Sequence, residues 1–512
     1  MEESRTINTL RNIKTGVIVQ IINRLMAFVV RTVFIKVLNT EYLGVNGLFT
    51  NVLTILSFAE LGIGTAIIYN MYKPIADDEI EKIKSYMKLY KKAYTLIGCI
   101  VFVLGLLVIP FMNIIVKDIP NIKENIIFVY LLFLFNTASS YFFSYKKSII
   151  IAYQKQSIID NIDSLFYLIK SILEIIFLIL TKKFIIYLLI QIIGTLIENI
   201  IISKKANQLY PFLKDKTCEE LDNKEKKNIF KNVKSLVIYK FGVVAMTGTD
   251  NILISSLINV DTVGLCSNYT LIINAIKSVV FNIINAVTAS IGNLNAGDDL
   301  RKKENIFYQF TFVNYIIYSF CAIAFIVLLN PFIELWLGKD YVLNMMVPVT
   351  MSFSFFIDGI RNPGYVYRTT LGLFEKAKMA PYIGAVSNII LSIIFCEKIG
   401  VEGIFLATAV SQLISYFWID PYLIHKYEFK TSSKKYYKKA LIYFIVFSTN
   451  VLICIVLTNL VKQKGVIGFV LKGIIVLIIA NLVNMLFFRK NDEFFMIKER
   501  LIRLIKRGKN EK

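Results

Sequence analysis

Arg24 and Arg31 stand seven residues apart in an otherwise apolar run, a spacing that puts both guanidiniums on one helix face, about 10 Å apart along the axis. Gln20 and Ala27 share that stripe. Arginine stays ionised and grips phosphate oxygens through a planar fork, so such a pair suits a diphosphate or another extended anion. Lys277, flanked by Asn274, Ser278 and Asn285 in a second apolar run, adds a further cation. Three acids lie in comparable settings: Glu60 within Phe58-Ala59-Glu60-Leu61-Gly62-Ile63-Gly64, Asp250, and Asp358. A carboxylate in a low-dielectric cavity has its proton affinity raised by desolvation and lowered by a nearby cation, so it can take up and release a proton as that cavity opens. The candidate site is therefore Arg24, Arg31 and Lys277 for an anionic substrate, with Glu60, Asp250 and Asp358 for ion coupling.

A plainer role is open for each. Arg24 or Arg31 could pair permanently with Glu60, Glu198 or Asp250 and hold helices together, and each acid could be a fixed salt-bridge partner. Lys36 and Lys472 sit near the ends of apolar runs, where the ammonium snorkels to the interface. Lys170 and Glu174 are an i,i+4 pair that can neutralise itself, and Lys240 fits either role. His425 is the sole histidine and the six cysteines are scattered singly, so neither a metal site, a histidine-based triad, a disulfide framework nor a bound cofactor is expected. The chain lacks a Gly-Lys-Ser/Thr phosphate loop, which argues against ATP hydrolysis.

These residues need scaffolding inside a membrane. The chain is 56% hydrophobic with mean hydropathy +0.61, and apolar runs of roughly 18–25 residues recur along it, each enough to cross a ~30 Å hydrocarbon core as a helix. The runs lack the period-2 alternation of barrel strands. Fourteen spans are expected, at 15–38, 49–72, 93–116, 125–145, 158–180, 184–203, 235–257, 267–292, 307–329, 343–362, 381–397, 403–420, 440–460 and 467–488. Residues 1–16 are polar and no small-residue cleavage site follows, so a removable signal is not expected. Of 58 Lys and Arg, only eight fall in the odd-numbered loops, which orients both termini to the cytoplasm. The net charge of +22 is then a cytoplasmic rim facing anionic lipid, and nucleic acid need not be invoked. In the basic tail, Phe494, Ile497, Leu501 and Leu504 recur at helical spacing, which predicts a helix along the membrane surface.

An internal repeat appears at an offset of 220. Arg11-Asn12-Ile13-Lys14 matches Lys231-Asn232-Val233-Lys234, and Asn39-Thr40-Glu41-Tyr42-Leu43-Gly44 matches Asn259-Val260-Asp261-Thr262-Val263-Gly264. An offset of six spans preserves orientation, so the halves should be related by an axis along the membrane normal. The expected fold is an all-α polytopic membrane protein: two six-helix lobes around a central cavity, plus two extra C-terminal helices. The lobes are expected at 1–203 and 235–420, joined by a cytoplasmic linker at 204–234. The additional helices lie at 421–488 and the basic cytoplasmic tail at 489–512.

Glu41-Tyr42-Leu43-Gly44-Val45-Asn46-Gly47-Leu48, followed by Ser57-Phe58-Ala59-Glu60-Leu61-Gly62-Ile63-Gly64, resembles the opening of Wzx-type polysaccharide-transport flippases. Their superfamily also holds lipid II flippases and multidrug/toxin extrusion transporters. The resemblance runs from about residue 8 to the last span and includes Tyr210-Pro211. It implies transport of an undecaprenyl-pyrophosphate-linked oligosaccharide from inner to outer leaflet of the bacterial cytoplasmic membrane, with a groove for the prenyl tail on the last two helices. It implies no enzymatic activity, and as partners membrane lipids, a polysaccharide polymerase and glycosyltransferases. By similarity to lipid II flippases, Arg24, Arg31 and Lys277 would line the cavity, and Glu60 falls where many relatives carry an acid. The seventh span departs from the pattern, with Lys240 and Asp250 but no arginine.

Two other classes compete. A multidrug extruder of the same fold would present mainly acidic and aromatic groups to cationic drugs, whereas cations are at least as prominent here. A polysaccharide polymerase or polyprenyl-linked glycosyltransferase would need large outer loops, and the longest, Asn330 to Val342, carries only Glu334 and Asp340 as acids.

Overall fold

A computed structural model describes residues 20, 22–57, 60–118, 120–215, 221–222, 227, 248–295, 297, 299–373, 376–496 and 499. The described residues are helices and short connections without a strand, in two compact units, Met1–Gly264 and Leu265–Lys512.

The first unit begins with a helix over residues 22–37 (α1). It continues with α2 (Thr40–Leu56), α3 (Glu60–Ala76), α4 (Ile80–Val108, extended by short turns to Ile115) and α5 (Ile126–Ser144). After these come α6 (Lys147–Ala152), α7 (Gln156–Thr181), α8 (Phe184–Leu209), a 3-10 turn Pro211–Lys214, α9 (Asp250–Leu257) and the start of α10 (Val260–Asn295). Local chemistry sets several of these ends. The Asn125 side chain accepts from the N–H groups of Ile127 and Phe128 at 2.9 and 3.2 Å, an N-cap that satisfies two otherwise orphaned donors. Lys182 closes α7 in the left-handed region at φ 53°. α4 buries Ile83, Tyr86, Tyr90, Tyr94, Ile97 and Val101 along one stripe, and these join Ile67, Met71, Tyr141, Ile149 and Ile150 in the core.

The repeat has a physical counterpart. Asn39 accepts from the N–H of Tyr42 at 3.2 Å, and 220 positions on, Asn259 accepts from the N–H of Thr262 at 2.8 Å. The two capped helix starts then cross reciprocally. A Cβ on Gly44 would lie 2.0 Å from the carbonyl oxygen of Val260, and one on Gly264 would lie 2.2 Å from that of Thr40, the residue equivalent to Val260. Only glycine admits backbones this close, the device by which membrane helices maximise contact.

The second unit holds the rest of α10, α11 (Leu300–Trp336), α12 (Met346–Thr370), α13 (Ala380–Ile399), α14 (Val401–Ile414), α15 (Tyr416–Ile424), α16 (Lys434–Asn459) and α17 (Gly465–Phe488). α16 and α17 dock on α11, where Tyr315 stacks on Tyr443 at 4.5 Å and donates to Asn484 at 2.9 Å. The described start of the tail also packs on this unit: Lys439 pairs with Glu493, and Phe494 meets Phe312 edge-on at 6.4 Å. The rest of the tail lies outside the described residues.

Ten helical segments among the described residues are long and apolar enough to cross a membrane, matching ten of the fourteen expected spans. Large apolar side chains such as Leu107, Leu180, Val466 and Leu452 stand exposed on them, which suits contact with lipid and not with water. The other four spans differ for separate reasons. The first is described only from residue 20, and the seventh mostly lies outside the described residues. The second is two 17-residue helices, α2 and α3, so the expected outer loop at 39–48 is itself helical. The tenth is α12, whose Ser352, Asp358, Arg361 and Asn362 make it more polar than its neighbours.

Candidate functional site

In the first unit α1 carries Arg24 and Arg31 on one face, as the seven-residue spacing requires of a continuous helix. The helix is seated by Phe34, which meets Phe184 and Tyr187 edge-on at 5.8 and 5.0 Å. Arg31 is half-buried and interacts with the Tyr187 hydroxyl of α8. Arg24 is exposed, interacts with Tyr167 of α7, and makes no ion pair among the described residues. The two guanidiniums thus run along the α7–α8 hairpin.

Glu60 opens α3 and accepts from the Tyr94 hydroxyl at 3.0 Å, while Tyr90 donates to Tyr94 at 3.2 Å. Tyr141 faces the same carboxylate. Its surroundings are thus phenolic, drawn from α4 and α5. Glu198 is engaged by Lys170 at 2.9 Å and Lys147 at 3.5 Å, and Lys147 also reaches Asp163 at 3.2 Å. Lys170 therefore bonds an acid 28 residues away, and Glu174 faces Gln191. Asp250 begins α9, where a carboxylate suits the positive end of the helix. Lys240 lies outside the described residues.

In the second unit two candidates meet. Lys277 of α10 bonds Asp358 of α12 at 2.6 Å. The other oxygen of that carboxylate accepts from Arg361, through Nη2 at 2.6 Å and Nε at 3.1 Å. Arg361 Nε also donates to Gln412 of α14 at 2.8 Å, and its guanidinium lies 4.8 Å over the Tyr416 ring. Two cations share one carboxylate, leaving an excess positive charge. The Lys277 side chain is 47% exposed against 21% for Arg361, so the lysine is the cation an incoming group can reach. Further along α12, Arg368 pairs with Asp420 at 3.1 Å with both side chains almost wholly buried. Removing one partner from a pair at that depth strands a charge, which makes it a structural tie.

Arg361, Arg368 and Asp420 were missed from the sequence. The signal for Arg361 was available: Asp358 and Arg361 are an i,i+3 pair. Pro363 and Gly364 hid it by reading as a span boundary, yet α12 continues through Pro363 to Thr370.

The family model described as "Polysaccharide biosynthesis protein" matches residues 9–289. No curated protein matches the chain. Among solved structures it is similar to "Lipid II flippase MurJ, inward closed conformation", with 17% identity and a TM-score of 0.63, over 93% of this chain and 99% of that one. It is also similar to an inward-facing multidrug resistance MATE family transporter of the MOP superfamily. There the identity is 14% and the TM-score 0.59, over 77% of this chain and 93% of that one. At such identities the likeness establishes the fold: a polytopic helical membrane architecture.

Proposed function

The chain belongs to the polysaccharide biosynthesis protein family, and on that premise we propose that it carries an undecaprenyl-pyrophosphate-linked oligosaccharide from the inner to the outer leaflet of the bacterial cytoplasmic membrane. The observation that carries this reading is the arginine pair of α1, two turns apart on one face of a mostly apolar helix, with Arg24 exposed. Keeping a guanidinium at membrane depth costs roughly 2.5–3.5 kcal/mol on insertion scales, and a bidentate hold on a diphosphate gives that cost a purpose.

In this reading Arg24 and Arg31 bind the pyrophosphate, and Lys277, half-exposed beside Asp358, exchanges its carboxylate for a phosphate oxygen when substrate arrives. Alternating access then follows from protonation or cation binding at Glu60 and Asp250, and at Asp358 only once Lys277 has left its carboxylate, since Lys277 and Arg361 otherwise both bond it. Glu60 accepts a hydrogen bond from Tyr94, a bond that protonation weakens by removing the charge on the acceptor. The transporter works beside the polymerase and glycosyltransferases that make and use the glycan, and performs no bond chemistry itself.

The test is binding of purified protein to a polyprenyl-pyrophosphate sugar, set against a lipophilic cationic drug. The flippase reading expects the anion to bind, Arg24→Ala and Arg31→Ala to lose it, and Arg→Lys at either position to keep part of it, because charge survives without the fork. Drug binding that persists in the alanine variants, with no response to the glycolipid, would move the protein to the multidrug-extruder reading that the same fold supports. Glu60→Gln should weaken the response of transport to an imposed proton gradient while leaving binding intact.

A further inference from the structure

A second basic site lies in the first unit, away from α1. Lys84, Lys88 and Lys91 follow one another at i, i+4 and i+7 on α4, so their ammonium groups share one face at the start of that helix. Opposite them stand Lys146, in the turn between α5 and α6, and Lys214, in the 3-10 turn after α8. Together these lysines line a cavity of about 470 Å³, within the ~300–1,000 Å³ range of small-molecule sites.

Among the described residues its charge is unbalanced. Asp215 is the only acid among the described residues of the lining, and it is bonded to Lys84 at 2.8 Å, which also holds Glu81 at 2.7 Å. Among the described residues Lys88, Lys91, Lys146 and Lys214 have no carboxylate partner. Lys146 is not merely a solvated surface lysine: Asn207 of α8 accepts from it at 2.9 Å and fixes its position in the wall. Burial and the neighbouring Lys91 ammonium push its proton affinity below the usual lysine range. Like charges held this close disfavour one another, and the structure keeps them together around an opening instead of dispersing them. Met87, Tyr145 and Leu213 supply an apolar floor beneath the ammonium groups.

We propose that this basin is a docking site for a phosphate-bearing polyanion, such as a diphosphate or a phospholipid headgroup, at the cytoplasmic rim of the first unit. Its cations are all lysines, which bind phosphate as point charges with rotatable donors and without the fixed geometry of an arginine fork. The basin therefore tolerates different phosphate esters, and it differs in kind from the arginine stripe on α1. Its position at the ends of α5 and α8 and the start of α4 puts it at the mouth of the helix bundle, where a headgroup can sit without any charge entering the hydrocarbon. The cytoplasmic placement rests on the orientation given by the loop charges; the binding itself does not.

The experiment uses the full-length protein in nanodiscs of phosphatidylcholine, titrated with inorganic pyrophosphate and read by phosphorus NMR line broadening. In parallel, nanodiscs containing phosphatidylglycerol are assayed for retained lipid by native mass spectrometry. The parent should bind at least one of the two probes. Pyrophosphate binding marks a soluble or substrate-borne phosphate, and phosphatidylglycerol retention alone marks a lipid headgroup. Lys88→Gln with Lys91→Gln should weaken binding by about tenfold per lysine, the size of one charge-assisted hydrogen bond. Lys88→Arg with Lys91→Arg should restore it, which separates loss of charge from loss of fold. Failure of the parent to bind either probe would overturn the proposal. So would binding that survives in the glutamine variant and vanishes in Arg24→Ala, since the phosphate would then belong to the α1 site.

Discussion

The reciprocal crossing of Gly44 and Gly264 offers the sharpest test of the fold. Gly44→Ala places a methyl 2.0 Å from the Val260 carbonyl oxygen, and Gly264→Ala places one 2.2 Å from that of Thr40. Both obstacles are backbone, so neither can rotate aside, and the first turn of α10 must move from α2 by roughly 1.2–1.4 Å to restore an ordinary contact. Overpacking of this kind costs typically 1–3 kcal/mol, and a backbone obstacle argues for the upper end. Alanine returns about 1 kcal/mol through its better helix propensity, leaving a net loss of about 2 kcal/mol for each single substitution. Because one displacement clears both clashes while each alanine returns its own propensity gain, the double substitution should cost only about 1 kcal/mol, far short of the sum, whereas independent sites add to within about 0.5 kcal/mol. Titration of the purified protein from mild detergent into sodium dodecyl sulfate, followed by tryptophan fluorescence or circular dichroism, gives the three values. Single substitutions without effect would refute the close crossing. Strict additivity would refute its reciprocity.

Three further outcomes are expected. Asp358→Asn strands two cations, but Arg361 keeps Gln412 and the Tyr416 ring while Lys277 is 47% exposed. The cost should therefore be about 2 kcal/mol, below the ~3–5 kcal/mol of a fully buried pair. Lys277→Gln leaves Arg361 on the carboxylate and should cost under ~1 kcal/mol; equal losses in the same detergent titration would contradict the shared-carboxylate geometry. Tyr42→Phe removes a hydroxyl that donates to Glu124 at 2.6 Å and accepts from the Lys123 N–H at 3.1 Å, so about 1–3 kcal/mol should be lost, and an unchanged midpoint would show the contact is not made. In a cysteine-free background, single cysteines at the exposed positions Asn121 and Asp340 should react with an impermeant maleimide from outside the cell, and those at Asp78 and Lys430 only after permeabilisation. The reverse pattern would invert the topology.

Much of this protein was legible before any coordinates. Apolar runs of membrane length gave the class, because a lipid-embedded backbone must satisfy its hydrogen bonds within each segment and so must be helical. The seven-residue spacing put Arg24 and Arg31 on one face, and the offset-220 repeat marked residues 39–44 and 259–264 as equivalent segments, although both were read as loops and not as the capped helix starts they are. What stayed hidden was which faces meet. Lipid is as apolar as leucine, so the hydrophobic pattern that separates inside from outside in a soluble protein carries little such information in a bilayer. Lys277 and Asp358 were therefore seen as separate candidates, the bond from Lys170 to Glu198 went unseen beside its i,i+4 neighbour Glu174, and α12 was ended at a proline that it passes through. The five-lysine basin escaped notice for the same reason: its members come from α4, the α5–α6 turn and the 3-10 turn after α8, and only the packing of those ends against one another gathers their charge into a single cavity.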